Sequence, residues 1–268
     1  VVTQLHAERP AAADLLDTAR SQLDLLYDFV RDNDIVSIPS GDPVLVKESP
    51  PFMRWNFAFL NSVGPFETAS LPAYYYITLP DPSWSSAEQA QYIPAPSDLL
   101  STSIHEVWPG HFVDSLHRKK IASPILKTFW NYCTGEGWAH YTEEMMWDAG
   151  VSKDPKVHVG ILLNALLRDV RFLSAIGLHA KGMTVAESAK LFEEKGLQDP
   201  ATAKQQSVRG TLDPMYLSYT LGKLMIRTLH DDWKAKEGSK YSRKRFHDTF
   251  LSYGGVPVPV IRAAMLGE

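Results

Sequence analysis

From residue 99 to residue 251 the chain is a succession of apolar-periodic segments separated by glycine and proline, and this pattern constrains its fold more than any other feature. Apolar residues recur at helical spacing over 99–107, 125–149, 156–181, 185–194, 214–236 and 242–251. An earlier segment, 10–32, reads as an amphipathic helix. Leu15, Leu16, Leu23, Leu26, Tyr27 and Val30 share a stripe, with Asp14, Arg20, Asp24 and Asp28 between them. Prolines and Gly41 break any helix over 35–51. The Pro- and aromatic-rich stretch 52–96 holds one strand candidate, Tyr74–Leu79, bounded by Pro72 and Pro80. The expected fold class is mainly α. One domain over 1–268 is expected, with a helix and a strand-and-loop lobe over 1–98 and a helical core over 99–268.

With 268 residues, 44% of them hydrophobic, the chain can bury a sizeable core. A formal net charge of -4 gives no basic surplus, so a nucleic-acid partner is not expected. The Lys119–Lys120 and Arg243–Lys244–Arg245 clusters are short and read as solvated helix faces. Cys133 is alone, so no intrachain disulfide forms, and it reads as a small core residue. No apolar run approaches the ~20 residues of a membrane helix, and the opening residues carry no signal-peptide pattern. The compartment stays open between cytoplasm and export. The chain opens Val1–Val2–Thr3, without an initiator Met, and reads as a piece of a longer protein.

One stretch carries chemistry: His105-Glu106-Val107-Trp108-Pro109-Gly110-His111. A catalytic zinc site needs three protein ligands, commonly His and carboxylate, and a base for the attacking water. In H-E-x-x-H peptidases the two His lie one helical turn apart and the adjacent Glu is the base. Here the second His is six positions on, and six steps of about 100° place it on a different helix face. Pro109 and Gly110 offer a way out. A two-residue bulge in one helix is expected to return His111 to the face of His105. The third ligand should be a carboxylate on a neighbouring helix. Glu136, 25 residues after His111, fits. With His140 and Glu143 it forms a polar stripe at i, i+4 and i+7 on an otherwise apolar helix. Gly135 and Gly137 flank it and would admit another helix close by. His105, His111 and Glu136 are therefore the expected ligands of one Zn²⁺, Glu106 the general base, and His140 and Glu143 supporting residues behind the ligands.

At these residues the chain resembles the bacterial "domain of unknown function 885" proteins, whose mark is H-E-x-x-P-G-H followed by an E-G-W-A segment. Here the second segment is Glu136-Gly137-Trp138-Ala139. Two further stretches also fit, Arg168 to Thr184 and Pro214 to Gly222, in the family's order. The Asp213-Pro214-Met215-Tyr216 run departs from the Pro-Gly-Gln that members often show. The resemblance implies a zincin-like, largely helical fold related to gluzincin peptidases, a bacterial source, and zinc-dependent hydrolysis of a peptide or small amide. Members are generally longer, so a preceding part of the same protein is an expected partner in completing the cleft.

Tyr219, Tyr216 and His179 are candidate donors to the oxyanion of peptide hydrolysis. The resemblance brings Ser218-Tyr219 to the site, and gluzincin-like peptidases use a downstream Tyr or His this way. Arg168, Arg171 and Arg209 could bind a substrate carboxylate by a bidentate fork, with structural pairing as the alternative for Arg168 and Arg171. Tyr216 is a further substrate-side candidate, and the Tyr74–Leu79 strand could offer a sheet edge to an extended peptide. Two rival readings use the same three ligands. One is a non-haem iron enzyme. The other is a non-catalytic interaction domain with a structural metal, for which an intact Glu106 has no role.

Overall fold

The computed structural model describes residues 8–54 and 56–268, and the first seven residues of the expected N-terminal lobe lie outside them. Helix α1 (Leu15–Asp32) follows a short 3-10 turn. Its buried side chains, Leu15, Ala19, Leu23, Leu26 and Val30, form a single stripe. Burying each of the larger ones contributes roughly 1.5–3 kcal/mol before chain entropy is subtracted. Tyr27, at the rim of that stripe, remains 38% exposed and packs edge-on against Trp108.

Three short strands follow: β1 (Val44–Glu48), β2 (Ala58–Asn61) and β3 (Ala73–Ile77). The order is β1-β3-β2, with β1 parallel and β2 antiparallel to β3. The strand read from the sequence is therefore the central one. The expectation that it offers a free edge is corrected: β3 is hydrogen-bonded on both sides, and the edges are β1 and β2. Period-two alternation explains the faces. Ala73, Tyr75 and Ile77 enter the core, while Tyr74 and Tyr76 stack on each other on the outer face.

The remainder is helical: α2 (Ser86–Tyr92), α3 (Pro96–Glu106), α4 (His111–Lys120), α5 (Pro124–Thr128), α6 (Tyr132–Asp148), α7 (Pro155–Ala180), α8 (Val185–Glu194), α9 (Pro200–Leu212), α10 (Ser218–Glu237), α11 (Arg243–Ser252) and α12 (Val258–Leu266). The segment read as one helix over 125–149 is two, because residues 129–131 leave helical geometry and Asn131 caps α6 through its side chain. Four helices escape the periodicity argument, among them the short α2 and α4, which begins at His111. Helix α9 buries only Ala203, Gln206, Ser207 and Gly210, so it has no apolar stripe. Helix α12 is short and starts behind two prolines.

Helix α6 is the axis of the molecule. Trp138, Ala139, His140, Tyr141, Thr142 and Glu143 are consecutive and all buried, so neighbours cover it on every side. Helices α3, α7 and α10 are among the elements packed against it. The main core runs from α1 and the sheet through α3, α4 and α6 to α10, α11 and α12. A smaller one joins Val170, Ala175, Phe192, Ala203, Tyr216 and Tyr219. The segment before β1 is tied to α11. Ser37 donates to both carboxylate oxygens of Asp248, at 2.8 and 2.7 Å. Ring nitrogen Nδ1 of His247 lies 2.7 Å from the Ile35 carbonyl.

Candidate metal centre

Helix α3 delivers His105 and Glu106 as its last two residues. It stops there because Pro109 has no N–H to return to the His105 carbonyl and its ring would clash with it. The closing turn is made instead by Val107 and Trp108 donating to Ser103 and by Gly110 donating to Ile104. Gly110 tolerates no side chain, since a Cβ there would stand 1.8 Å from the His105 carbonyl oxygen. Helix α4 then begins at His111. The expected bulge within one helix is thus corrected to a corner between two helices. The functional consequence expected of the bulge is met all the same: the His105 and His111 rings lie 4.8 Å apart at an interplanar angle of 89°.

The corner is fastened to α6. Trp138 Nε1 donates to the carbonyls of Pro109 at 3.0 Å and Gly110 at 3.3 Å. Two residues earlier on α6 stands Glu136. Its Oε2 lies 3.3 Å from His105 Nε2 and 3.2 Å from His111 Nε2. Neither line meets hydrogen-bond angles, so this buried oxygen has no bonded partner. One ligand atom from each residue lies within 4.8 Å of the others. Zinc–ligand distances of about 2.0–2.1 Å at a tetrahedral angle put neighbouring ligand atoms about 3.3 Å apart. Two of the three spacings match that value, and the His-His-carboxylate donor set suits Zn²⁺. The residues fit the ion.

Charge favours a cation at the same point. Burial opposes ionisation of His111, but Glu136 outweighs it and raises the imidazolium to about 9. Burial likewise opposes a Glu136 carboxylate, and His111 with His105 hold it far below the usual range. A bound divalent cation would supply the positive charge that the proton on His111 otherwise provides.

Behind the His105–His111–Glu136 cluster sits Glu143, fully buried on α6. Its Oε1 is 2.7 Å from His105 Nδ1. Its Oε2 accepts from Ser101 Oγ at 3.0 Å and from Arg168 at 3.2 Å. Burial works against its charge, but Arg168 and the neighbouring imidazoles hold it well below the carboxylate range. His140, expected beside it, contacts Glu143 at 3.5 Å rather than any of the three ligands. Burial pushes the His140 imidazole down to about 4.

Glu106 lies on the other side. Its Oε2 accepts a 2.9 Å hydrogen bond from the Leu60 N–H, at the unpaired edge of β2. Burial raises its pKa, partly opposed by His105 and His111. A cavity of about 260 Å³ opens beside the ligands, lined among others by Leu60, Val63, His111, Asp114, Trp130 and Glu136.

Helix α10 brings Tyr219. It crosses α6 where Gly222 meets Gly137, so closely that a Cβ on Gly222 would lie 1.9 Å from the Cys133 carbonyl oxygen. Gly137 thus performs the expected role, whereas Gly135 faces the Trp130 indole. One turn before the crossing, the Tyr219 ring stacks on His105 at 6.0 Å. Burial and the Glu136 charge push its hydroxyl well above the usual range. The Tyr219 hydroxyl has Tyr132 and Arg209 as neighbours, and the other donor candidates face different groups. His179 Nε2 lies 2.7 Å from the Gly210 carbonyl, and the fully buried Tyr216 hydroxyl donates to Ser174 at 2.7 Å. Arg209 pairs with Asp213 at 3.1 Å and reaches the Tyr132 hydroxyl at 3.4 Å. Arg171 donates its Nε–H to Gln206 at 2.8 Å and lies over the Tyr219 ring. Sequence reasoning missed Ser101, Leu60 and Tyr132. Only Ser101 carried a signal, one turn before His105 on the same helix face.

A family profile described as "Bacterial protein of unknown function (DUF885)" matches residues 3–265. The chain belongs to the DUF885 family. Among solved structures, it is similar to a candidate lipoprotein of unknown function from Shewanella oneidensis. The identity is 28% and the TM-score 0.85, over 98% of this chain and 47% of that one. It is also similar to a candidate lipoprotein from Colwellia psychrerythraea, at 25% identity and TM-score 0.83, over 95% of this chain and 42% of that one. This DUF885 chain therefore spans a little under half the length of the solved relatives it matches. A comparison with functionally curated proteins finds no match. No described helix of the DUF885 chain is long and apolar enough to cross a membrane.

Proposed function

We propose that this DUF885 chain carries a zincin-like, gluzincin-related hydrolase centre that cleaves peptide or small amide bonds with the help of one Zn²⁺. The observation that carries the reading is the convergence of His105 Nε2, His111 Nε2 and Glu136 on one point beside a second buried carboxylate, Glu106, which is not among the converging ligands. A structural metal has no use for such a base. The cavity next to the ligands gives a substrate room to approach.

His105, His111 and Glu136 would hold the ion, which when bound polarises an amide carbonyl and acidifies water. Glu106 takes the proton of the attacking water and returns it to the leaving amine. Its burial-raised pKa strengthens it as an acceptor, and the Leu60 N–H steadies the other end of the carboxylate. Glu143 holds the Nδ1 proton of His105, which fixes the tautomer and leaves Nε2 free to ligate. Tyr219 keeps its proton at any ordinary pH and would donate it as a hydrogen bond to the oxyanion. The lipoprotein descriptions of the two solved relatives favour an exported, envelope-associated protein.

The test is hydrolysis of a mixture of short peptides by the zinc-loaded protein and by Glu106→Gln. The reading expects turnover in the first, and retained zinc without turnover in the second. Equal turnover in both would remove Glu106 as the base.

A further inference from the structure

Three arginines surround the Tyr219 ring, and they differ in what neutralises them. Arg168 is paired with Glu143 at 3.1 Å, and Arg209 with Asp213 at 3.1 Å. Arg171 is only 8% exposed, yet among the described residues no carboxylate lies in ion-pairing range of it. Its Nε–H is taken by the neutral Gln206, at 2.8 Å, and its guanidinium lies 5.2 Å from the Tyr219 ring centre. Among the described residues no hydrogen bond or ion pair engages the two terminal nitrogens. Burying a charge without an opposite charge is costly, so a buried cation of this kind calls for a partner. Burial, with Arg209 and Arg168 adding to it, depresses Arg171 to about 10, so it remains a cation at neutral pH.

Its position says which ligand. The Tyr219 ring lies 6.0 Å from the His105 ring on one count and 5.2 Å from the Arg171 guanidinium on the other. The cation is therefore within about three extended residues of a metal ligand, at ~3.3–3.6 Å per residue. The two terminal nitrogens of a guanidinium match a carboxylate in a bidentate pair. We propose that Arg171 binds the free C-terminal carboxylate of the substrate, so that the centre acts on short peptides or amides ending in that group and cuts within a few residues of it. This rests on the hydrolase reading above. Gln206 orients the Arg171 fork.

The experiment compares three probes on the zinc-loaded protein. They are a tripeptide as its free acid, the same tripeptide as its C-terminal amide, and an amide carrying a glutamate side chain. kcat/KM is measured for each, and calorimetric binding to Glu106→Gln is measured in parallel. The free acid is expected to exceed both amides on the order of 10²-fold, since a buried group built for a partner strongly rejects analogues lacking it. Arg171→Gln should bring that ratio close to one, and Arg171→Lys should restore part of it. Equal kcat/KM and equal binding for free acid and amide in the unmodified protein would overturn the proposal, as would a glutamate amide preferred over the free acid. Absence of all turnover would count against the hydrolase reading alone. The binding arm on Glu106→Gln then still decides: tighter binding of the free acid supports the Arg171 assignment, and equal binding overturns it.

Discussion

His105 and Glu143 are joined by a contact of 2.7 Å between Nδ1 and Oε1, on the far side of the imidazole from Glu136. The two carboxylates thus address the two nitrogens of one ring. Glu143 is itself held by Ser101 and Arg168. In the proposed zinc site this carboxylate would accept the Nδ1 proton and leave Nε2 to present a lone pair to the ion.

Glu143→Gln should therefore weaken zinc binding by ~10–100-fold, measured by competition with a chelator of known affinity. It should also destabilise the fold, because Arg168 loses its charged partner in a buried place. Breaking such a pair costs about 3–5 kcal/mol. Ser101→Ala should show the same signs at smaller size. Unchanged zinc affinity in Glu143→Gln would mean that His105 is oriented by its helix alone.

Tyr219 and His179 make opposite predictions as donors. Tyr219→Phe should lower kcat on the order of 10²-fold with little change in KM, since it removes one hydrogen bond needed in the transition state. His179→Ala should act mainly on stability, through its lost bond to Gly210. A normal kcat in Tyr219→Phe beside a crippled His179→Ala would exchange their roles.

The crossing of α6 and α10 sets where Tyr219 stands, and it depends on two glycines. Gly222→Ala would drive a Cβ to 1.9 Å from the Cys133 carbonyl, a backbone group that cannot swing aside. Overpacking of this kind costs about 1–3 kcal/mol, and thermal unfolding should report it. Gly41→Ala, where a Cβ meets nothing within 4 Å, is the matched control. Equal melting temperatures for the two variants would show that α10 can lift away freely.

Helices α3, α6 and α10 were legible because their apolar residues repeat at helical spacing, whereas α4, which brings His111, was not read as a helix of its own. Helix α8 agrees with its sequence reading residue for residue, and the Glu136 stripe stood out against the apolar residues of α6. The corner at Pro109–Gly110 was legible only as a disturbance. Steric rules say that Pro109 cannot continue the helix, but not whether the chain bulges and resumes or turns and starts again. That choice is made by Trp138, 29 residues away, which binds the Pro109 carbonyl. The charge clamp on Glu143 is long-range in the same sense: Ser101 and Arg168 lie on other helices, 42 and 25 residues from it. Helix α9 was missed because it buries polar and small residues, which leave no periodic trace.

Acid stability should report His247. Its ring is fully buried, with Nδ1–H donating to the Ile35 carbonyl and Nε2 accepting from the Tyr141 hydroxyl. Burial lowers its pKa to about 3. The unfolded chain thus binds a proton near pH 6.5 that the folded chain refuses until about pH 3. This contribution is fully present above the unfolded value and is lost as pH falls through that window, by at most ~1.4 kcal/mol per pH unit for one proton. Denaturant unfolding of the wild type and His247→Gln from pH 8 to pH 4 should diverge in slope in that direction. Parallel profiles would mean that His247 takes up its proton in the folded state.

The proposed chemistry depends first on one zinc ion held by His105, His111 and Glu136. The direct measurement is elemental analysis of the purified protein and of three variants. About one zinc per chain is expected in the wild type and in Glu106→Gln, and loss of zinc in His105→Ala and Glu136→Ala. Zinc retained undiminished in both of those variants would contradict it, and iron in place of zinc would move the centre to a different chemistry.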